Sequence, residues 1–226
     1  ESYRIFDRYG LGGSVKFQNK SVLFDRDNTF TIGGDLFYQT GPVSDFENIG
    51  GAKGDNLNAN GYIDETVGNS GVYVLDNIEI YNKQLYGLIS ARYDNVYFQQ
   101  LNRNFGLQNE ELRFEDFTPK FALNYKVTPT VAIYTSYGFS FDSPAGNELD
   151  DYPKESQPAA LLNSDLKPQH STNFEFGVKG NLINIERTFF TNVLFDFTFF
   201  NTIVEDEIVP CEIDQDIFFR NYKKKK

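Results

Sequence analysis

Two-residue alternation of apolar and polar side chains, held over segments of about 9 to 13 residues, constrains this chain more than any other feature. Between Ser171 and Leu182, the residues Phe174, Phe176, Val178 and Leu182 fall on one side of an extended backbone. Asn173, Glu175, Gly177, Lys179 and Asn181 fall on the other. A helix would scatter both sets around its axis, so the segment reads as a strand. Segment 130–141 repeats the pattern, with Val131, Ile133, Tyr137 and Phe139 set against Ala132, Ser136 and Gly138. Segments 10–18, 29–39, 71–81, 85–95, 117–127 and 190–203 do the same, giving eight strands, and 217–222 reads as the start of a ninth. In 71–81, Asp76 falls in line with Val72, Val74, Ile78 and Ile80, which predicts a bulge.

These segments are longer than the ~5–6 residues usual in soluble strands and match the ~9–11 that a tilted strand needs to cross a bilayer. The connections carry a separate signal. Loops 41–70, 97–116, 142–170 and 204–216 are long, and turns 82–84, 128–129 and 183–188 between them are short. Regular alternation of short turns and long loops belongs to membrane barrels, with the long loops outside the cell. The expected fold class is therefore all-β, an antiparallel transmembrane β-barrel. The alternative of a soluble carbohydrate-binding sandwich gives no reason for every second loop to be long.

Composition agrees. The chain holds 23 Phe and 14 Tyr, yet its mean hydropathy is -0.46. An apolar outer wall around a polar lumen produces that pairing. No run approaches the ~18 apolar residues of a membrane helix, which leaves a barrel untouched. A net charge of -11 argues against nucleic acid, which needs clustered Lys and Arg. The single Cys211 precludes an internal disulfide and a cysteine-based zinc site, and the single His170 precludes a histidine-pair metal site. A Ser-His-Asp triad would have to use His170, which reads as a hydrogen-bonded residue at a strand's start, so no enzyme is expected. The absence of Met and of a leader before Glu1 gives the expectation of a processed product or fragment, and Lys223 to Lys226 read as a solvated tail.

Four features bear on binding. Asn56, Asn58 and Asn60 alternate before Gly61, followed by Asp64, in the manner of a calcium loop. Asn stands where the first Asp belongs, and Val67 stands where a bidentate Glu would close the site. The other reading of this run is a polar Asn/Gly turn. Glu148, Asp150 and Asp151 form an acidic patch in a long loop, and Asp206 and Glu207 lie near the same mouth. Arg92, Asp94, Lys120, Lys126, Glu175, Lys179 and Asp196 form the charged set of the polar, lumen-facing wall. Any ligand-binding residues are expected in the loops 41–70, 97–116, 142–170 and 204–216.

The stretch from Asn163 to Lys179 (N-S-D-L-K-P-Q-H-S-T-N-F-E-F-G-V-K) resembles the barrel signature of TonB-dependent receptors, N-P-D-L-K-P-E-x-S-x-x-Y-E-x-G. Phe117 to Tyr125 is similar to the family's S-P-R-x-x-L-x-Y strand, and Tyr134 to Phe141 to its Y-x-S-Y-x-x-G-F strand. Phe218 to Asn221 resembles the F-R-N that opens a later strand. Val72 to Asp76 resembles F-x-Q-D, with Leu75 in place of Gln. The resemblance implies a partial barrel over residues 1–226, about 8–9 strands of a 22-stranded whole. It also implies a plug domain outside this chain and TonB as a partner acting through that plug. A ferric siderophore or similar scarce nutrient is the implied ligand, and the outer membrane of a Gram-negative bacterium the implied location. The rival expectation is a small passive or structural barrel serving as anchor, adhesin or pore.

With so few carboxylates, the 55–65 run predicts calcium binding no tighter than about 10⁻⁴–10⁻³ M. Titration calorimetry on the intact protein checks this, and an absence of heat at ten-millimolar calcium leaves the polar turn.

Overall fold

The computed structural model describes residues 2–56, 63–102, 108–152, 160–183, 192–213 and 216–222. Among them, ten strands share one antiparallel sheet: β1 (Ser2–Phe6), β2 (Tyr9–Leu23), β3 (Arg26–Ile49), β4 (Ala52–Asn56), β5 (Ile63–Tyr81), β6 (Leu85–Asn102), β7 (Gln108–Thr128), β8 (Val131–Asp142), β9 (Gln169–Ile183) and β10 (Asn192–Glu205). A separate hairpin joins β11 (Ile208–Ile213) to β12 (Asp216–Asn221).

All eight segments marked by alternation are strands, and they pair in sequence order. Three tight turns sit at one end. Phe24 and Asp25 link β2 to β3 with φ of 52° and 59°, and Asn82 and Lys83 turn β5 into β6 with φ of 44° and 54°. Left-handed backbone costs a non-glycine residue about 1–2 kcal/mol, but it suits the twist of paired strands. Glu79 helps hold the second turn by accepting the Lys83 N–H at 2.7 Å. Pro129 and Thr130 form the third, where Thr128 opposes Val131. The expected turn at 183–188 lies mostly outside the described residues.

At the other end the strands outrun the expectation. Much of 41–70 and 97–116 is strand rather than loop: β3 reaches Ile49, turns at Gly50 and Gly51, and folds back as β4, while β6 reaches Asn102 and β7 starts at Gln108. The polar residues Gln99, Gln100, Glu110 and Glu111 erase the amphipathic signal there, but the ladder of backbone hydrogen bonds continues regardless of side chain.

Two further expectations are corrected. No bulge interrupts β5 at Asp76. The β3–β5 register runs unbroken from Asn28↔Ile78 to Val43↔Ile63, and Asn28 Nδ2 donates to the Asp76 carboxylate at 2.7 Å. A hydrogen-bonded partner, rather than a shift in register, accommodates the acid on the apolar face. The register shift falls instead between Glu79 and Tyr81, against β6. Residues 217–222 do not extend the sheet as a ninth strand. Residues 217–221 lie in β12, whose partner β11 comes from within the expected loop 204–216.

The sheet is open. Among the described residues, β2 pairs only with β3, and β10 only with β9. β1 continues the β2 edge past Asp7, whose N–H donates to Pro42 at 3.1 Å. Gly41 is required at that crossing, since a Cβ there would overlap the Asp7 carbonyl.

Packing completes the argument for a membrane wall. The surface of 15681 Å² exceeds the roughly 10,500 Å² expected of a soluble monomer of this mass. Apolar side chains stand out from one face: Val72 is 60% exposed, Phe176 48% and Phe197 72%. Water gives such a face no stability, and hydrocarbon does. The buried cluster of Val96, Phe98, Leu149, Leu162 and Leu166 sits on the opposite, polar face, toward the long loops.

Phe176 lies midway along β9 on the apolar face. Phe176→Lys should lower stability by about 2–4 kcal/mol in lipid, as lysine does near a bilayer midplane. Lys179→Ala, on the other face, should cost far less. Denaturant unfolding of the intact protein from vesicles measures both, and equal costs would refute the face assignment.

Candidate functional site

Register places the charged set of the polar face in cross-strand rows. Asp35, Gly71 and Asp94 form one row across β3, β5 and β6. Arg92, on the same face, extends across the gap left by Gly71. Its Nη1 and Nη2 donate to the two Asp35 oxygens at 2.8 and 3.0 Å, and its Nε donates to Asp94 at 2.8 Å. A Cβ on Gly71 would collide with the guanidinium. The same device recurs on β9. Tyr134 on β8 lies over Gly177, and its hydroxyl meets Thr198 at 2.6 Å and Asp196 at 3.4 Å on β10. In each case a glycine in the middle strand lets a long side chain from one neighbour reach the strand beyond.

Toward the long loops, β7 and β8 part. Their pairing ends at Lys120↔Gly138, while β7 runs on to Gln108 and β8 to Asp142. The segment after β8 folds back over the polar face and buries Leu149, Leu162 and Leu166 against Val96 and Phe98. Glu110 clamps it by accepting the N–H groups of Leu161 and Leu162 at 3.0 and 2.8 Å. The β11–β12 hairpin closes on the same segment, with Ile208 and Phe219 packed against the cluster. Asn163, 2% exposed, donates to the Phe219 carbonyl at 3.3 Å. Asn221 accepts from the Lys167 N–H and donates to the Lys167 carbonyl, both at 2.8 Å. Two stretches picked out by resemblance, 163–168 and 218–221, are thus the two halves of one clasp.

Beside the clasp, a hollow of about 700 Å³ opens between β1, β3, β5, β6 and residues 143–150. Arg4, Arg8, Phe37, Gln39, Glu65 and Gln100 contribute to its lining. Arg4 pairs with Asp45 at 2.7 Å and Asp150 at 3.5 Å, and Arg8 with Glu65 at 3.0 Å. Partial burial lifts the Asp150 carboxyl above the ordinary carboxylate range, against the pull of Arg4. Size, concavity and a mixture of aromatic and paired polar groups make this a ligand-sized pocket.

The expected candidates fall as follows. Asn56 ends β4 and Asp64 lies in β5; Asn58 and Asn60 lie outside the described residues. Glu148 and Asp151 serve their own loop, accepting the Ala145 and Ala160 N–H groups, and Asp150 faces Arg4. Asp206 turns the chain with φ of 54°, and its carbonyl accepts from Asn221. His170 Nε2 lies 3.4 Å from Asp116. Parts of all four long connections meet at this end: Asp45 and Glu65 from the first, Glu110 from the second, Leu162 from the third and Ile208 from the fourth. Arg4, Arg8 and Phe37 were not legible as pocket residues. The arginines precede the first alternating segment, and Phe37 breaks the pattern of its strand.

An open antiparallel sheet with one lipid-suited face, tight turns at one end and elaborated loops at the other has the architecture of part of a transmembrane β-barrel wall. Residues 2–226 match the family of TonB dependent receptor-like β-barrels, and the chain belongs to that family. No curated protein sequence matches it. Among solved structures, it is similar to the ferric-catecholate import receptor Fiu of Escherichia coli K12, at 15% identity and a TM-score of 0.66, covering 95% of this chain and 33% of that one. It is also similar to the alcaligin receptor FauA of Bordetella pertussis, at 16% identity and 0.58, covering 97% and 34%. The Serratia marcescens hemophore receptor HasR, solved with its hemophore HasA and heme, matches at 15% and 0.63, covering 97% and 38%. The chain therefore spans about a third of the length of these structures. At such identities the likeness establishes the fold.

Gly71→Val should drive Arg92 from Asp35 and lower stability by about 1–3 kcal/mol through lost charged hydrogen bonds. Gly13→Ala, where an added Cβ meets nothing within 4 Å, should be close to neutral. Denaturation midpoints of the intact protein decide between them, and equal effects would remove the bridging role of Gly71.

Proposed function

We propose that this chain forms about a third of the barrel of an outer-membrane receptor that takes up a ferric chelate or a similarly scarce nutrient. The ligand binds at the end where the long connections meet. Energy reaches the receptor from the inner membrane through TonB, by way of a plug domain that lies outside this chain. The observation that carries the reading is the mouth itself. A loop segment and a hairpin fold inward over the polar face, leaving a ligand-sized hollow lined by Arg4, Arg8 and Phe37.

Support also comes from family membership and from relatives whose names include a ferric-catecholate importer, an alcaligin receptor and a hemophore receptor. These ligands differ widely, and the pocket's charges are nearly balanced, with two arginines facing Asp45, Glu65 and Asp150. The common denominator is an iron complex or other chelate too large and too dilute for a general porin. No catalytic arrangement enters this reading, and the protein acts as a transporter rather than an enzyme.

Uptake of labelled ferric chelates by iron-starved cells carrying the intact protein tests the proposal. Uptake should cease without TonB or on collapse of the inner-membrane proton gradient, while binding to the cell surface persists. Uptake indifferent to both would identify a passive barrel instead.

A further inference from the structure

The outward face of the sheet carries two adjoining features toward its mouth that uptake through the lumen does not use. The first is a hollow of about 600 Å³ in the apolar wall. Register places Val15, Gly34, Val72 and Tyr93 in one cross-strand row, and Gly13, Leu36, Ser70 and Asn95 in the next row toward the mouth. Gly13 and Ser70 are the diagonal neighbours of Gly34. With so little side chain at these three positions, the wall dips to the backbone of Ser14, Asp35 and Gly71. Val15, Leu36, Val72 and Tyr93 stand around the dip. The backbone groups of its floor are engaged in the strand ladders, so the floor offers a polar ligand nothing to bond. At Gly13 the space is open, and an added Cβ would meet no atom within 4 Å.

The second feature begins where the hollow ends. On β6 and β7, Asn95 faces Glu115, Tyr97 faces Arg113 and Gln99 faces Glu111, in successive rows toward the mouth. Asn95 donates to Glu115 at 2.6 Å, and Gln99 donates to Glu111 at 3.1 Å. The Arg113 guanidinium stands 5.4 Å from the centre of the Tyr97 ring. The apolar wall thus gives way to a strip of amides, carboxylates and one guanidinium around an aromatic ring. Such a strip both donates to and accepts from hydroxyl groups. Two carboxylates outweigh the single guanidinium, so it suits a sugar better than an anion.

We propose that this part of the outer wall holds a glycolipid of the membrane's outer leaflet, with an acyl chain in the hollow and the sugar headgroup across Asn95, Tyr97, Arg113 and Glu115. The hollow is continuous with the face that meets hydrocarbon, so a hydrocarbon chain is the occupant already beside it. Hollow and strip also follow one another in the order of a lipid's tail and head. Tyr93 at the rim of the hollow and Tyr97 in the strip are about 13 Å apart along β6 at ~3.3 Å per residue, a length that a headgroup and its first methylenes span. The proposal rests on the receptor reading above for one point, that the mouth lies outside the cell and the strip therefore in the outer leaflet.

Native mass spectrometry of the intact receptor, extracted from outer membranes in mild detergent, tests this. The unsubstituted protein should keep a glycolipid through detergent exchange that strips other lipid. Gly13→Leu fills the hollow from a position with room for the side chain and should remove that lipid. Arg113→Ala, in the polar strip, should lower retention about tenfold, as the loss of a hydrogen bond from a charged group does. Heat-modifiable migration on gels confirms that each variant is folded, and chelate uptake by both should match the unsubstituted protein. No retained glycolipid, or equal retention by all three proteins, would overturn the site. So would a phospholipid in its place, or a second receptor copy released by Gly13→Leu. Uptake that proves independent of TonB while the glycolipid is retained would remove the receptor reading and leave this site standing.

Discussion

In hydrocarbon, a backbone N–H or C=O without a partner costs several kcal/mol, and no water is available to supply one. Every major feature of this sheet follows from that constraint. The strands pair over nearly their whole length, with continuous registers such as the sixteen residues of β3 from Asn28 to Val43. Three turns at one end, at Phe24–Asp25, Asn82–Lys83 and Pro129–Thr130, are tight. Even the acid on the apolar face, Asp76, is carried within an unbroken ladder and given a side-chain partner, Asn28, rather than a bulge. The same constraint bears on β2 and β10, whose outer edges have no strand beside them among the described residues. In a bilayer those edges require other strands, and a wide barrel supplies them.

Pairing fixes the backbone but leaves each face free to specialise. The outer face needs only to be apolar, and it is rich in Phe, Val, Leu and Tyr. The inner face has a harder task, since its charged groups must be satisfied without filling the lumen. Glycine in a middle strand solves it twice, at Gly71 and Gly177, by letting Arg92 and Tyr134 lie flat and bond to the strand beyond. At the mouth the solution is different. Loop backbone is satisfied by side chains, as with Glu110 on Leu161 and Leu162 or Asn221 on Lys167, and leucines from the loop form the buried cluster of a chain that otherwise has little core.

Much of this was legible in the sequence, for a definite reason. Inside a membrane the outward face is held apolar with few exceptions, such as Asp76, so Phe174, Phe176 and Val178 declare their face. Toward the mouth polar residues such as Gln99, Gln100, Glu110 and Glu111 interrupt the alternation, even where Phe98 and Gln100 are buried, and strands such as 97–102 or 108–116 read as loops. Residues 217–222 read as the start of a further wall strand, but 217–221 pair locally with 208–212, and the sequence alone does not show which partner a short strand takes. The signature residues Asn163 and Asn221 were visible as resemblance, and their role became clear only when the structure joined them through Phe219 and Lys167. The pocket arginines left no trace, because Arg4 and Arg8 meet Asp45, Asp150 and Glu65 through contacts far apart in sequence.

The membrane wall stands or falls on its edges. A cryo-electron microscopy map of the intact protein in lipid nanodiscs would show directly what lies beside β2 and β10. A wide receptor barrel requires each to be hydrogen-bonded to a strand from outside this chain, with a folded domain filling the lumen. Finding β2 hydrogen-bonded to β10, closing eight strands on themselves, would contradict it.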